Sequence, residues 1–180
     1  MQLTRRDALV ALGAAGVAVG GGGAVLLSAD RDAAEEADGP LGDAAATTLV
    51  AAAEVLYPSA VEDVETFVTE YARGRAADQP AHAAGVADAV AYLDDYARAW
   101  HDEPFAALDP SRRREALHRM DADSADPDPE GSDVERVRYY VVDELLFALY
   151  SSPTGGELVG IENPRGYPGG TASYRRGPTS

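Results

Sequence analysis

Apolar side chains recur every three or four residues through the middle of this 180-residue chain, and this spacing constrains its fold more than any other feature. One such stripe, towards the end of the region, consists of Val134, Val137, Val141, Val142, Leu145 and Leu149. No segment shows the strict alternation of apolar and polar residues that a half-buried strand requires. The spacing therefore predicts an all-α protein.

The same spacing predicts about five amphipathic helices in an irregular bundle, which together form a helical domain at 43–150. The expected helices are Asp43–Tyr57, a second from Ser59 to about Gly74, a third at about Ala81–Trp100, a short fourth from Asp109, and Asp133–Tyr150. The spacing of Ser59 and Glu62 predicts a capping box for the second helix. Asp109 followed by Pro is typical of a helix N-cap, and we expect Tyr96 and Trp100 to belong to the core.

The last thirty residues, 151–180, have a different composition, rich in Gly and Pro and without helical spacing. Such a segment has too few apolar residues to fold alone, yet it contains Tyr167 and Tyr174. Tyrosine buries a large apolar ring at low entropic cost, as a binding residue does. We therefore predict an extended C-terminal arm that orders against its own domain or a partner. A frayed end is the alternative.

The N-terminal residues have the features of a targeting segment. Arg5 and Arg6 precede an uncharged stretch, and residues 1–29 together resemble a twin-arginine export signal. Residues 8–29 are also long enough for a plain N-terminal membrane anchor, which is the alternative interpretation. Residues 30–42 are small and charged and end in Pro and Gly, as a linker does. We expect an exported protein, located extracellularly or on the outer face of the cytoplasmic membrane, with membrane association possible through 8–29.

The charge balance excludes one class of partner and suggests an environment. The chain has 31 acidic residues against 15 basic ones, all of them Arg, for a net charge of −16. Such a chain is not expected to neutralise nucleic-acid phosphates. Repulsion between so many carboxylates is screened within about 3 Å in molar salt. The absence of Lys beside abundant Asp, Glu and Ala therefore predicts a protein from a salt-loving microbe, and true disorder of the acidic chain is the alternative.

Candidate catalytic, cofactor-binding and metal-binding residues are lacking, so we expect none in this chain. There is no Cys, and no Gly-rich nucleotide loop follows a strand. The acidic loop Asp126–Asp133 resembles a calcium loop, but Val137 stands where the last carboxylate ligand should be. The sequence His101-Asp102-Glu103 is interpreted as a polar connector after a helix rather than as an acid–base group.

Arginines form the densest basic cluster of the acidic chain at 112–114. Arg112 and Arg113 can pair with neighbouring carboxylates such as Asp109 and Glu115, or they can bind an acidic patch of a partner. Both interpretations stay open. With Tyr167 and Tyr174, these two arginines are the candidate partner-binding residues.

Several short sequences are similar to one known family. They are Tyr57-Pro58, Phe105-Ala106-Ala107-Leu108, and the ending Leu149-Tyr150-Ser151-Ser152 followed by Gly166-Tyr167-Pro168-Gly169. With the twin-arginine leader, they make residues 43–176 resemble the gluconate 2-dehydrogenase subunit 3 family. The chain departs from the family pattern at Asp121–Asp133, which is more acidic and richer in Pro.

The resemblance implies a non-catalytic small subunit. Its partner would be a flavin-dependent large subunit of the glucose–methanol–choline type, which holds FAD and oxidises a sugar, sugar acid or alcohol. Electrons would pass on to a cytochrome or a quinone-linked subunit. The leader of such a small subunit would carry the leaderless catalytic subunit across the membrane. The alternative is a free-standing exported helical binding module with no enzyme partner.

Overall fold

The computed structural model describes residues 2–4, 7 and 41–160 of the chain. Within these residues the protein is helical and has no strand, which confirms the all-α prediction. The first four helices are α1 (Asp43–Leu56), α2 (Val64–Asp78), α3 (Pro80–His101) and α4 (Pro110–Arg119), with a short 3₁₀ turn at Phe105–Ala107. Two further helices follow, α5 and the short α6 (Pro153–Leu158).

Helix α5 consists of three consecutive segments, an α-helical start (Asp133–Val137), a π-helical middle (Arg138–Asp143) and an α-helical end (Glu144–Ser151). The backbone stays in the right-handed helical region at both junctions, so the three segments form one continuous helix. A π segment inserts an extra residue into the helical turn and changes which side chains face inward after it. Nothing in the apolar spacing predicts this insertion.

Two of the helices begin with the caps that their sequences indicate. The carboxylate of Asp109 accepts hydrogen bonds from the backbone N–H groups of Ser111 and Arg112, as predicted for α4. At the start of α5, the Ser132 hydroxyl accepts from the Glu135 N–H, while the Glu135 carboxylate accepts from the Ser132 N–H. This reciprocal pair is a capping box.

The capping box predicted at Ser59 and Glu62 is wrong. Helix α2 begins later, at Val64, and its N-cap Asp63 has a left-handed backbone with φ 59°. The chain turns at Pro58, whose carbonyl accepts from the Val61 N–H at 2.9 Å. The Glu62 carbonyl is also engaged, since it accepts a hydrogen bond from Leu3 at 3.1 Å.

The helices pack around one apolar core, in which α1 contacts α2, α3, α4 and α5. Large side chains that lie fully inside it are Phe67, Leu93, Phe105, Leu108, Val137, Val141, Leu145 and Leu149. Ion pairs show how the helices are oriented. Arg73 of α2 pairs with Asp43 at the start of α1, so these helices run antiparallel. Helix α5 runs antiparallel to α3 in the same way, because Arg136 pairs with Asp88 and Glu144 lies beside His82.

The expectation that Trp100 belongs to the core is wrong, since the side chain is 62% exposed. Ala97 is the last buried residue of α3, and the chain leaves the helix through Asp102, whose φ is 62°. Phe105 then enters the core in the following 3₁₀ turn. Tyr96 is half-buried against the core, with its ring 6.1 Å from the ring of Trp100.

The prediction that an extended arm begins at 151 is wrong for its first part, because Pro153–Leu158 forms α6. The Ser152 hydroxyl accepts from the Gly155 N–H at 3.0 Å and caps this helix. Gly155 and Gly156 are buried where α6 packs against α5. At Gly155 the lack of a side chain permits the close packing, because a Cβ there would overlap the Leu149 carbonyl, so both glycines are part of the domain. The rest of the predicted arm, including Tyr167 and Tyr174, lies outside the described residues.

In the part of the chain that the structure describes, no helix combines the length and the apolar character needed to cross a membrane. The uncharged stretch 8–29 lies outside that part, as do Arg5, Arg6 and most of the expected linker 30–42.

The packing of α6 generates a prediction for Gly155→Ala. A Cβ at this position would overlap the backbone carbonyl of Leu149, which cannot move without disturbing α5. We expect the free energy of unfolding to fall by about 1–3 kcal/mol, as measured by urea denaturation. Glu157→Ala, an exposed position of the same helix, is the control and should change stability by less than about 0.5 kcal/mol. Equal stability of the Gly155 variant and wild type would contradict the packing of α6.

Candidate functional site

A buried carboxylate, Glu144, lies where three helices meet. It is the first residue after the π segment of α5, and its side chain is only 12% exposed. The Tyr71 hydroxyl donates to one carboxylate oxygen at 2.6 Å, and Nε of Arg75 lies 2.6 Å from the same oxygen. Nε2 of His82 lies 3.2 Å from the other oxygen. We refer to Tyr71, Arg75, His82 and Glu144 as the Glu144 cluster.

Helical spacing explains how each member reaches the cluster. Tyr71 and Arg75 are four residues apart on α2, so they lie on the same face of that helix. His82 belongs to the first turn of α3. The extra residue of the π segment rotates the end of α5 by about 100° relative to a regular helix, which changes the direction of Glu144.

Burial and charge shift the acid–base properties of the cluster. Burial opposes ionisation of Glu144, but contacts with His82, Tyr71 and Arg75 outweigh it, and the pKa of Glu144 lies below its ordinary value of 4.5. Burial, together with the Glu144 charge, raises the pKa of Tyr71. The same two causes raise the pKa of Tyr57, whose hydroxyl donates to the Leu145 carbonyl at 2.8 Å. Both tyrosines therefore stay protonated and act as hydrogen-bond donors.

The cavity beside the Glu144 cluster is small. Its apolar wall includes Leu41, Leu49 and Val86, and its volume is about 20 Å³. That volume is close to the space one water molecule needs. A sugar or a flavin ring does not fit in it. The contacts of Glu144 join α2, α3 and α5 at this point.

The two candidate arginines occupy different environments. Arg113 is largely buried, donates to the Ala106 carbonyl at 2.8 Å and pairs with Glu54. It thereby ties α4 to α1 and to the 3₁₀ turn. Its partner is a carboxylate, but it is Glu54 of α1 rather than the neighbouring Asp109 or Glu115. Arg112 is 54% exposed and lies 3.6 Å from the carboxylate of its neighbour Asp109. Only Arg112 of the two presents most of its side chain to solvent.

The two weaker candidates lie at the end of α3 and in the loop before α5. Asp102 ends α3 in a left-handed conformation, and both it and Glu103 are exposed, as a polar connector would be. Residues of the loop 126–132 are largely exposed, and Asp128 accepts from the Glu130 N–H within it. Among the described residues, no group of three or more His, Asp or Glu side chains could hold a metal ion.

Described residues on both sides of Arg5 and Arg6 in the sequence contact the folded domain. Leu3 is 2% exposed, and Asp7 is 5% exposed. The Asp7 carboxylate accepts hydrogen bonds from the N–H and hydroxyl groups of both Thr4 and Thr154. We refer to this as the leader contact, because it lies within the segment that the sequence predicts to be a leader; Gln2, Leu3, Thr4 and Asp7 form it with Glu62 and Thr154. Arg5 and Arg6 themselves lie outside the described residues.

Sequence reasoning missed the Glu144 cluster and the leader contact. Tyr71 lies four residues after Phe67 and so follows the apolar spacing of α2, and Glu144 falls between Val142 and Leu145 of the apolar stripe of α5. The one signal in the sequence was an acidic residue beside apolar residues that face the core. Such a residue is partly buried, and a buried carboxylate requires hydrogen-bond donors or positive charges near it. No local pattern could have linked Asp7 to Thr154, which is 147 residues away.

The fold and these contacts define a small all-α domain built around a buried, fully engaged carboxylate. Residues 43–169 match the family model described as Gluconate 2-dehydrogenase subunit 3, so the chain belongs to that family. The resemblance noted from Tyr57-Pro58 and the Tyr-Ser-Ser ending is thereby confirmed. Membership implies an accessory subunit with dehydrogenase partner subunits. No curated protein and no solved structure is detectably similar to the chain.

The lowered pKa of Glu144 generates a prediction for Glu144→Gln. A carboxylate whose pKa is lower in the folded state stabilises the fold above its unfolded pKa, and this contribution is lost as pH falls through the folded value. We expect the free energy of unfolding of the variant to be about 2–4 kcal/mol lower at pH 7, because the neutral amide no longer forms an ion pair with the guanidinium of Arg75. The difference from wild type should shrink as the pH falls below 4.5.

Urea denaturation at pH 7 and at acidic pH, in the same salt, measures this difference. Glu103→Gln, at an exposed carboxylate, is the matched control and should resemble wild type at both pH values. A destabilisation of the Glu144 variant that does not change with pH would be inconsistent with an ionised Glu144.

Proposed function

We propose that this chain is a non-catalytic small subunit that binds, stabilises and helps to export a flavin-dependent dehydrogenase of the glucose–methanol–choline type. The substrate of the complex would be a sugar, a sugar acid or an alcohol. The observation that carries the proposal is the family match over 43–169. FAD belongs to the partner subunit, and electrons leave through a cytochrome or a quinone-linked subunit.

The arrangement of polar groups in the described domain supports a structural role. Glu144 is engaged by three partners, and Arg113 is engaged by Glu54 and a backbone carbonyl. An acid–base residue needs access to a substrate as well as a shifted pKa. The small cavity at Glu144 leaves room for about one water molecule, so we assign the function to the surface.

The surface has features suited to a protein partner. Exposed aromatic side chains include Trp100, Phe147 and Tyr150, and Arg112 is exposed as well. Aromatic residues and Arg are enriched in protein interfaces and carry much of their binding energy. We assign Arg112 and the C-terminal residues Tyr167 and Tyr174 to the surface that binds the flavoprotein.

Export by the twin-arginine route is the second part of the proposal. That route transports folded proteins, so a subunit bearing the signal can carry a bound partner that has none. Arg5 and Arg6 would be read as the address. The complex would then work extracellularly or on the outer face of the cytoplasmic membrane. Residues 8–29 would provide membrane association if they are retained.

Replacing Arg5→Lys and Arg6→Lys together should retain the chain in the cytoplasm. The change keeps both positive charges but removes the paired guanidinium groups. A loss of export would therefore show that the export receptor recognises the guanidinium groups and not only their charge. Cell fractionation and immunoblotting measure it, and the flavoprotein should be retained with the chain. The matched control is Arg175→Lys with Arg176→Lys, a second adjacent pair outside the leader. Undiminished export of the leader variant would refute the twin-arginine assignment.

Ending the chain after Gly160 should weaken co-purification of the flavoprotein without lowering the melting temperature of the domain. The described helices, including α6, are complete before this point. Ending it after Ser152 should also lower the melting temperature, because α6 no longer packs on α5. Tyr167→Ala should weaken binding by about 1–3 kcal/mol if its ring is buried in the partner. Full co-purification of the chain that ends at Gly160 would exclude a partner-binding role for 161–180.

A further inference from the structure

The leader contact joins residues on both sides of the twin-arginine pair to the folded domain. On one side, Gln2 forms a bridge with Glu62, and the Leu3 N–H donates to the Glu62 carbonyl at 3.1 Å. The Leu3 side chain belongs to the hydrophobic core cluster. On the other side, Asp7 is buried against Thr154.

The hydrogen bonds of Asp7 explain how a carboxylate is buried there. Its Oδ2 accepts from the Thr4 N–H and hydroxyl, both at 2.6 Å. Its Oδ1 accepts from the Thr154 N–H at 3.1 Å and from the Thr154 hydroxyl at 2.9 Å. These bonds outweigh the cost of burial, and the pKa of Asp7 lies below its ordinary value. An unpaired buried carboxylate would be expensive, so Asp7 is stable in this position only while Thr154 is in place.

The contact requires the folded domain. Glu62 lies in the turn before α2, whereas Thr154 lies in α6, and the two are far apart in the sequence. The Thr154 hydroxyl also lies 3.3 Å from the Gln2 carbonyl, so Thr154 is adjacent to both ends of the segment, and its backbone N–H bonds to Asp7 whichever acceptor the hydroxyl takes. A chain in which α6 has not packed cannot form this contact.

We propose that the folded domain binds its own leader through Leu3 and Asp7 and thereby competes with the export receptor for it. This inference rests on the proposed function, because it takes Arg5 and Arg6 as the export motif. A receptor that reads this pair must also accommodate Thr4 and Asp7, the residues adjacent to it in the sequence. Export then begins only from molecules in which the contact is open. The apparent affinity of the receptor for the leader is therefore its intrinsic affinity multiplied by the fraction of open molecules.

Thr154→Asp tests the inference without changing the leader itself. A carboxylate at this position faces Asp7 and repels it, and it leaves the leader sequence that the receptor reads intact. An acidic residue in the first turn of α6 is compatible with the helix. Glu157→Asp, at an exposed position of the same helix, is the matched control. Thr154→Val removes only the hydroxyl and serves as a second, milder variant.

Two measurements report the contact and its effect. The first is the rate at which trypsin cleaves the purified full chain after Arg5 and Arg6, followed by mass spectrometry of the new N-termini. The second is the export rate in a pulse-chase experiment. We expect Thr154→Asp to raise the cleavage rate about tenfold and Thr154→Val a few-fold, with a parallel rise in export rate.

Each combination of cleavage rate and export rate either supports the proposed competition or contradicts it. Faster cleavage together with faster export supports the inference. Unchanged cleavage in both Thr154 variants would show that the leader is not held by the domain, and faster cleavage with unchanged export would show that holding it does not compete with the receptor. Normal export of the variant with Lys at both leader arginines would instead refute the proposed export function, whatever the cleavage rates are.

Discussion

The relative positions of the helices depend most directly on the contacts of one buried carboxylate, that of Glu144. It brings together Tyr71 and Arg75 of α2 with His82 of α3 at a single point of α5. A buried ion pair adds little net stability compared with apolar packing, but leaving one partner alone is costly. Arrangements that separate these side chains are therefore penalised. We infer that the cluster sets the register of α2 and α3 against α5, while the apolar core supplies most of the stability.

The π segment and α1 complete this arrangement. The end of α5 reaches α1 through the Tyr57 hydroxyl, which donates to the carbonyl of Leu145. α1 can lie close to its neighbours because Ala51, Ala52 and Ala53 form much of its buried face. The π segment before Glu144 is an irregularity that an isolated helix would not favour. The ion pair of Glu144 with Arg75 and the hydrogen bond at Leu145 explain why the fold retains it.

The sequence predicted the helices well because their apolar spacing and caps are local properties. The ends of α1 and α3 and the Asp109 cap of α4 agree with the structure to within a residue or two. The failures have non-local causes. Trp100 satisfies the spacing of α3 but lies past the point where the core ends, and Ser59 sits in a turn closed by Pro58. The Glu144 cluster depends on three helices and on a π segment, and helical spacing alone specifies neither.

The Gly and Pro residues near the C-terminus show that composition alone does not predict whether a segment folds. The same residues that predicted an extended arm at 151 allow α6 to pack where a Cβ at Gly155 would overlap the carbonyl of Leu149. Because α6 lies on the end of α5, it places Thr154 beside Asp7. Residues from both ends of the described chain thus meet on a helix whose position follows from α5, and α5 is held in register by Glu144. The Glu144 cluster and the leader contact therefore share no residue, but α5 and α6 connect them through continuous packing.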